Sequence, residues 1–218
     1  MRTGPRAPEP GMKLVLASGN SGKLAELQGM FGPLNLTLVK RAELGITEAE
    51  EPFHTFVENA LAKARHAASK SGLPAMADDA GLCVDAFDGQ PGVQTAFYAT
   101  RFGYAKGDAN NVRALLEQMR DISNRRASMV STLVALLSAD DPQPLVAVGR
   151  VIGEIAHEPS GSRGFGFDPV MFIPELGQTF AQMAPELKYA YSHRGRAAQA
   201  MVGMMRANWP LTSAPPHD

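Results

Sequence analysis

The sequence predicts an α/β fold in which helices cover both sides of a mixed β-sheet. Strand patterns alternate with helix patterns early in the chain, which is typical of this class. Two strand patterns then lie next to each other around a short turn, and this arrangement adds antiparallel pairing to the sheet. The 218 residues, 44% of them hydrophobic, are enough for one buried core without disulfides.

Composition and charge narrow the classes of protein to consider. The 21 Lys and Arg residues nearly balance the 22 Asp and Glu residues, and a net charge of −1 argues against a nucleic-acid-binding protein. The single cysteine, Cys83, excludes an internal disulfide framework and favours a reducing compartment, so we expect a cytoplasmic protein. No apolar run reaches the roughly 18 residues of a membrane span, and no secretory signal opens the chain.

The first elements lie inside a single domain expected over residues 12–209, between disordered tails at residues 1–11 and 210–218. An apolar strand is predicted at 13–17, followed by a polar, glycine-bearing stretch at 18–23. A helix follows with Leu24, Leu27 and Phe31 on one face. Gly32 and Pro33 end it, and a second strand is predicted at 34–39.

The middle of the chain contains the clearest helix pattern, over residues 53–70. Its apolar residues repeat at helical spacing, and Gly72 stands at the position of a C-terminal stop. A short strand is predicted at 74–77, and Gly81 suggests that it ends before Asp78 and Asp79. A further apolar run covers residues 82–84.

The second half adds two helices and three strands. Asp108 is a plausible N-cap for a helix to about residue 120. Strands are predicted at 128–137 and 145–156, with a hairpin turn at 140–142, and a third apolar run covers 170–173. Ser192 is predicted to cap the last long helix, which runs to about residue 206.

The stretch between the first strand and helix has the character of an anion site. Unpaired backbone N–H groups at a helix N-terminus attract anions, and glycines allow a phosphate to approach closely. The sequence does not match a Walker A loop, and an ordinary strand-to-helix turn is the alternative. The candidate residues are Ser18, Gly19, Asn20, Ser21, Gly22 and Lys23.

Two acidic pairs are candidates for magnesium binding. Asp78 and Asp79 follow an apolar strand, where adjacent carboxylates are costly unless they meet cations or donors. Glu50 and Glu51 precede the long helix and could supply a further oxygen ligand. The alternatives are a solvated turn for the first pair and favourable helix-dipole placement for the second.

Two later segments could hold a flat, electron-rich ligand. Aromatic residues beside glycines, at Phe165, Gly166, Phe167 and Asp168, could form a ledge on which a base stacks, although a kinked start of a strand is the alternative. The cations of the second segment, Lys188, His193 and Arg194, surround a helix N-terminus, where positive charge is unfavourable without a compensating group. The other histidines show no metal-ligand spacing, so no zinc site is predicted.

Together these segments resemble the inosine triphosphate pyrophosphatase family over residues 12–206. Five pieces occur in the order and spacing of that family: LVLASGNSGKLAEL, TFVENALAKARHAA, ADDAGLCVDAFDGQPGV, GFGFDPVMFIP and SHRGRA. The resemblance implies a long, bent mixed sheet with two lobes around a central cleft, a homodimer and a Mg²⁺ cofactor. It also implies hydrolysis of dITP, ITP or XTP to the monophosphate and pyrophosphate, with no nucleic-acid or membrane partner.

The resemblance also assigns residues to roles. Ser18 to Lys23, together with Lys63, would hold the triphosphate. Asp79 would be the proton acceptor and a metal ligand, with Glu51 as second ligand, and the sequence does not separate these two roles of Asp79. The base and sugar would be held by Phe165, Gly166, Phe167, Asp168, Lys188, His193 and Arg194.

The chain departs from the family pattern at four positions. Ala80 replaces a serine of the substrate site, Phe97 replaces an arginine, Gln182 replaces a glutamate and Phe167 replaces a tyrosine. Loss of a buried polar contact costs about 1–3 kcal/mol. Two alternatives therefore stay open: the same phosphate chemistry with a different base preference, or a weakly catalytic nucleotide sensor.

Overall fold

A computed structural model describes residues 11–34 and 36–211. Its strands form one seven-stranded mixed sheet: β1 (Met12–Leu16), β2 (Leu36–Lys40), β3 (Ala75–Val84), β4 (Arg126–Leu136), β5 (Leu145–Ile155), β6 (Met171–Ile173) and β7 (Gln178–Thr179). Their spatial order is β2-β1-β3-β4-β5-β6-β7. Strand β1 is parallel to both of its neighbours, and every later pair is antiparallel, including the predicted hairpin of β4 and β5.

Five α-helices accompany the sheet in the described part of the chain. They are α1 (Ser21–Phe31), α2 (Phe56–Ser71), α3 (Asp108–Gln118), α4 (Pro185–Tyr191) and α5 (His193–Asn208). None of the described helices has the length and apolar character needed to cross a membrane. The predicted tails fall outside the described residues, apart from residues 11, 210 and 211.

The alternation of side chains along β1 places helices on both faces of the sheet. Leu14 and Leu16 point to one face and pack with α1 and α5, whereas Val15 and Ala17 point to the other and pack with α2. The mixed α/β architecture predicted from the sequence is therefore confirmed.

We call the two clusters on either face of β1 the first core, and a second core lies further along the long strands. Leu82 and Val84 of β3 pack there with Leu115 and Met119, on α3 and just after it, and with residues around β6. Strands β3, β4 and β5 run through both cores. The residues of β3 between Ala77 and Leu82 therefore lie where the two cores adjoin, and this is where the candidate site is found.

The prediction that the strand at 74–77 ends before Asp78 is wrong. The strand does not end before Asp78 but continues through Gly81 to Val84, because the whole stretch pairs with β4. Gly81 is needed within the strand, since a Cβ there would collide with the carbonyl oxygen of Gly92. Neighbouring side chains of a strand point to opposite faces, so Asp78 and Asp79 serve different faces of the sheet.

Other boundaries also shift. Helix α2 begins at Phe56 behind a Thr55 cap, rather than at Phe53. Asp108 is the first residue of α3, and Gly107 precedes it as the cap. The patterns gave no indication of β7, of α4 or of a 3₁₀ segment over Gly92–Phe102, because these elements are too short or too irregular for periodicity to reveal.

Candidate functional site

A polar cleft of about 390 Å³ opens where the two cores adjoin. The loop after β1, the middle of α2 and the middle of β3 contribute to it. The residues that line it include Ser18, Gly19, Asn20, Lys23, Glu51, Lys63, Asp78, Asp79 and Ala80. The structure therefore brings most of the predicted phosphate and metal residues into one cavity.

The loop before α1 forms a capped helix N-terminus. The Asn20 side chain accepts a hydrogen bond from the Lys23 N–H at 3.0 Å, and Ser18 Oγ accepts one from the Asn20 N–H at 3.3 Å. Ser21 is the first residue of α1. Gly22 packs beneath an aromatic ring, since a Cβ there would lie 2.6 Å from Phe165. The need for glycine at position 22 thus arises from this packing.

Asp78 forms the buried centre of a charge network. Its carboxylate lies 2.9 Å from Lys23 Nζ and 3.3 Å from Arg194, and it accepts a hydrogen bond from Ser131 Oγ at 2.5 Å. Burial alone would raise the pKa of Asp78, but the charges of Lys23 and Arg194 outweigh this effect and hold the pKa well below its usual range. Asp78 is therefore a permanently ionised anchor for α1 and α5.

Asp79 faces the other side of the sheet and pairs with α2. Lys63 Nζ donates to Asp79 Oδ1 at 3.0 Å and to Glu51 at 2.9 Å. The second oxygen, Asp79 Oδ2, is buried and has no hydrogen-bond partner in the described part of the chain. Burial raises the pKa of the Asp79 carboxyl, and the opposing charge of Lys63 only partly offsets it. Burial works against the charged form of Lys63, but Asp79 and Glu51 outweigh it and raise the pKa of that amine.

The carboxylates of Asp79 and Glu51 fit the donor chemistry of a magnesium ion. Both reach the same ammonium group, and Asp79 Oδ2 has no hydrogen-bond partner among the residues that the structure describes. Within the described ranges, no group of three or more His, Cys, Asp and Glu side chains could hold a metal. Magnesium usually keeps water and substrate phosphates in its shell, so two protein carboxylates are sufficient.

A second, smaller cavity of about 100 Å³ adjoins the cleft. Asn20, Lys23, Ala80, Ala96 and Asp108 line both spaces. The remaining lining includes Phe165, Gly166, Phe167, Asp168, His193 and Arg194. One cavity is thus charged and the other aromatic, and they share a wall.

The aromatic ledge is held in place by buried ion pairs. Lys188 Nζ contacts Asp168 at 2.7 Å and Glu26 at 2.8 Å, and Asp168 also accepts from the Phe165 N–H at 2.8 Å. The cations of Lys188 and Arg194 lie 5.1 Å and 5.5 Å from the centre of the Phe165 ring. Lys188 does not line the cavity, so its role in this structure is to fix the ledge.

The cations at the N-terminus of α5 find their compensation within the protein. Ser192 Oγ accepts from the Gly195 N–H at 3.0 Å, which confirms the predicted cap. Arg194 binds Glu26 at 2.7 Å as well as Asp78. Burial works against the charged form of Arg194, but these carboxylates outweigh it and raise the pKa of the guanidinium.

His193 also lines the small cavity. The side chain is buried, stacks 6.0 Å from the Phe180 ring, and leaves Nδ1 without a partner among the described residues. Burial and the nearby charge of Arg194 hold the pKa of His193 well below its usual value. The smaller cavity is therefore lined by a neutral imidazole, in which one ring nitrogen can donate a hydrogen bond and the other can accept one.

Three acidic residues of the site were not assigned by sequence reasoning. Asp78 was considered only as one of the paired carboxylates that could bind magnesium, and not as the partner of Lys23 and Arg194. Glu26 lies on α1 and binds Lys188 and Arg194, which are more than 160 residues away in the sequence, so no local pattern pointed to it. Asp108, considered only as a cap, accepts a hydrogen bond from the Gly166 N–H at 2.7 Å and joins α3 to the ledge.

The departures from the family pattern fall in different places. Ala80 lines both cavities, Phe167 is buried in the wall of the smaller one, and Phe97 lines the cleft. Gln182 serves a turn instead, where its side-chain oxygen accepts from the Thr179 N–H at 2.8 Å. Only the first three can therefore act directly on a ligand.

Comparison with known proteins agrees with this geometry. The model of the Ham1 family matches residues 14–204. A protein of Paracidovorax citrulli named dITP/XTP pyrophosphatase is 74% identical over 91% of this chain and all of its own length, and one of Albidiferax ferrireducens with the same name is 73% identical over the same shares. The structure of a HAM1 protein from Coxiella burnetii superposes with a TM-score of 0.83 at 40% identity, over 90% of this chain and 99% of that one.

Proposed function

The chain belongs to the Ham1 family, and we propose that it hydrolyses non-standard purine nucleoside triphosphates such as dITP and XTP to the monophosphate and pyrophosphate. The observation that carries the proposal is the pair of adjoining cavities, one charged and one aromatic, with Asn20, Lys23 and Ala80 in their common wall. A nucleotide has the same division into a charged chain and a flat base. The relatives named dITP/XTP pyrophosphatase support this substrate class.

The charged cleft supplies the groups that phosphoryl chemistry needs. Hydrolysis between the α- and β-phosphates requires charge neutralisation and a positioned water more than covalent help. The backbone of residues 18–20 and the amines of Lys23 and Lys63 would bind the phosphate oxygens. Asp79 has an unpaired oxygen and a raised pKa, so its carboxylate would accept a proton from the attacking water or orient it.

Magnesium is part of the proposal. Asp79 and Glu51 would hold it, together with oxygens of the substrate phosphates. When bound, the ion supplies positive charge to the phosphates and lowers the pKa of water. Lys63 bridges the two carboxylates, so its positive charge would offset their mutual repulsion and keep them close together.

Base selection falls to the smaller cavity. Phe165 would stack on the base, and His193 Nδ1 would meet its edge. Hypoxanthine and xanthine carry an O6 acceptor, whereas adenine carries an amino donor, so a donor on this edge favours the first two. Lys188 and Arg194 already bind carboxylates, and they would act mainly by positioning the ring and the histidine.

The proposal extends to the setting of the enzyme. We infer a cytoplasmic homodimer with one domain per chain, which acts on free nucleotides and not on nucleic acid. Within residues 93–102, Tyr98 and Ala99 are buried, whereas Phe97 and Phe102 are exposed. An exposed apolar face on β5, which includes Val148 and Ile152, is a better candidate for the subunit contact.

The test is pyrophosphate release from ITP, dITP, XTP, GTP, ATP and dUTP with magnesium. We expect wild type to cleave dITP, ITP or XTP, and Asp79→Asn to lose at least about a hundredfold in rate because the proton acceptor and metal ligand is gone. Asp85→Asn is the matched control, since Asp85 is an exposed acid whose ion-pair partner among the described residues is Arg126, at 3.2 Å. It should leave the rate unchanged.

Other outcomes decide between the alternatives. Release from a different nucleotide would keep the chemistry and assign Ala80 and Phe97 to a changed base preference. Binding without release from any nucleotide would reject the enzyme and favour a sensor.

A further inference from the structure

A lysine that the sequence analysis did not single out lies at the polar cleft. Lys106 Nζ sits 4.1 Å from the centre of the Phe97 ring, and both residues line the cleft with Lys23, Lys63 and Asp79. Phe97 is a large apolar residue that remains exposed, with 48% of its surface accessible. Together they form a cation–π pair.

Lys106 differs from the other strong cations of the cleft in its partners. Lys23 is paired with Asp78, Lys63 with Glu51 and Asp79, and Arg41 with Glu48. Lys106 makes no ion pair within the part of the chain that the structure describes. An aromatic ring attracts an ammonium group but does not neutralise it, so Lys106 presents a full positive charge to the cleft.

The position of Lys106 favours one part of a nucleotide. Asp108, two residues further on, lines both the charged cleft and the aromatic cavity, whereas Lys106 lines only the cleft. The charge therefore faces the space proposed for phosphates and not the space proposed for the base. An uncompensated ammonium group beside that space fits a phosphate oxygen as its partner.

We propose that Lys106 is a substrate-binding residue that contacts the phosphate chain, and that Phe97 is its support. The inference rests on the proposed function and adds a residue to it. It also gives a role to Phe97, which stands where the family pattern has an arginine. The Phe97 ring would hold the ammonium group of Lys106 in place of that arginine. The cleft thus keeps a cation at this side.

Three variants separate charge from packing. Lys106→Met keeps an unbranched chain over the ring and removes the charge, whereas Lys106→Arg keeps the charge. Phe97→Leu removes the ring and leaves the lysine unsupported. Lys70→Met is the control, since Lys70 is an exposed lysine in the last turn of α2, outside the cleft lining.

Two readouts are needed: the dissociation constant of inorganic tripolyphosphate, which has no base or sugar, and the KM and kcat for ITP. We expect Lys106→Met to weaken tripolyphosphate binding about tenfold and to raise KM more than it changes kcat. Lys106→Arg should restore most of the binding, and Phe97→Leu should show a smaller loss of about threefold.

The inference is overturned if wild type and Lys106→Met bind tripolyphosphate equally, or if Lys70→Met loses as much. It is also overturned if wild type does not bind tripolyphosphate. If wild type binds tripolyphosphate through Lys106 but hydrolyses no nucleotide, the inference stands and the proposed function fails. The two ideas can therefore be rejected separately.

Discussion

Adjacent carboxylates on β3 show how burial gives similar residues different chemistry. Asp78 meets Lys23 and Arg194, which keep it ionised, while Asp79 retains a partnerless oxygen and a raised pKa. The difference arises because alternate side chains of a strand face different helices. One carboxylate therefore holds the site together, and the other is left available for chemistry.

The buried histidine gives a testable dependence of stability on pH. The pKa of His193 in the folded protein lies well below the usual value of 6.5 because of burial and the nearby Arg194. At pH values between the pKa of the folded protein and that of the unfolded chain, the unfolded chain binds a proton that the folded chain does not. The free energy of unfolding should therefore fall as the pH drops below about 6.5, by up to about 1.4 kcal/mol per pH unit from this residue.

Urea unfolding of wild type, His193→Gln and His54→Gln between pH 5 and 7.5 checks this expectation. His193→Gln should remove the extra slope below pH 6.5, whatever its effect on stability at neutral pH. His54 is exposed, so His54→Gln should follow the wild-type curve. Parallel curves for all three proteins would contradict the argument.

At the scale of single residues, local patterns pointed to several side chains that the structure brings to the two cavities, among them Ser18, Lys23, Asp79 and His193. They did not point to the partners of these side chains. Glu26 was missed, because its contacts with Lys188 and Arg194 join positions more than 160 residues apart, and only the folded chain brings them together. Buried ion pairs of this kind leave little trace in a single sequence.

At the scale of secondary-structure elements, the close contact between β5 and α5 depends on the glycine at position 149. A Cβ at Gly149 would collide with the carbonyl oxygen of His193 and lie 2.5 Å from the Ala197 nitrogen. Both are backbone atoms, so neither can move aside as a side chain would. The backbones of the strand and the helix are therefore in direct contact. This contact lies next to His193 and Arg194, which line the smaller cavity.

We expect Gly149→Ala to destabilise the fold by about 1–3 kcal/mol through this overpacking. Gly203→Ala is a control of the same chemistry on α5, where a Cβ meets nothing within 4 Å. Because alanine favours a helix over glycine, Gly203→Ala should instead stabilise by roughly 0.5–1 kcal/mol. The urea unfolding midpoint of each variant, compared with wild type at an unchanged m-value, measures these effects. A shift of both midpoints in the same direction would contradict the packing argument.

Element predictions succeeded where periodicity was strong. Strands β1, β4 and β5 and helix α5 lie within a few residues of their predicted bounds. The mistaken end of β3 has a physical cause: Asp78, Asp79 and Gly81 are poor strand formers, and pairing with β4 overrides that propensity. Tertiary context thus outweighed local preference at the very place where the site is built.

The whole molecule places its chemistry at the junction of two cores. The three long strands, β3, β4 and β5, tie both cores into one sheet, and the cleft opens beside the middle of β3. Two lobes around a cleft were implied by the family resemblance and not by periodicity. Periodicity reports one element at a time, whereas the cleft depends on which strands are neighbours.

The same sheet also leaves one apolar face uncovered. On β5, Val148 is 56% exposed and Ile152 is 50% exposed, and Val146 extends the row. Arg150 and Glu154 lie in the same exposed row on either side of Ile152. A twofold axis at Ile152 would bring these opposite charges together between two copies, so the face is self-complementary.

We therefore expect a homodimer that pairs through β5. Light scattering after size exclusion should give wild type twice the mass of the 23.3 kDa chain. Val148→Asp buries an unpaired charge in this contact, so it should raise the dimer dissociation constant by at least about thirtyfold and shift the protein towards the monomer. Leu44→Asp, at an exposed apolar residue elsewhere, is the control and should remain dimeric. A monomeric wild type would remove the dimer itself, whereas an intact Val148→Asp dimer would move the contact to another face.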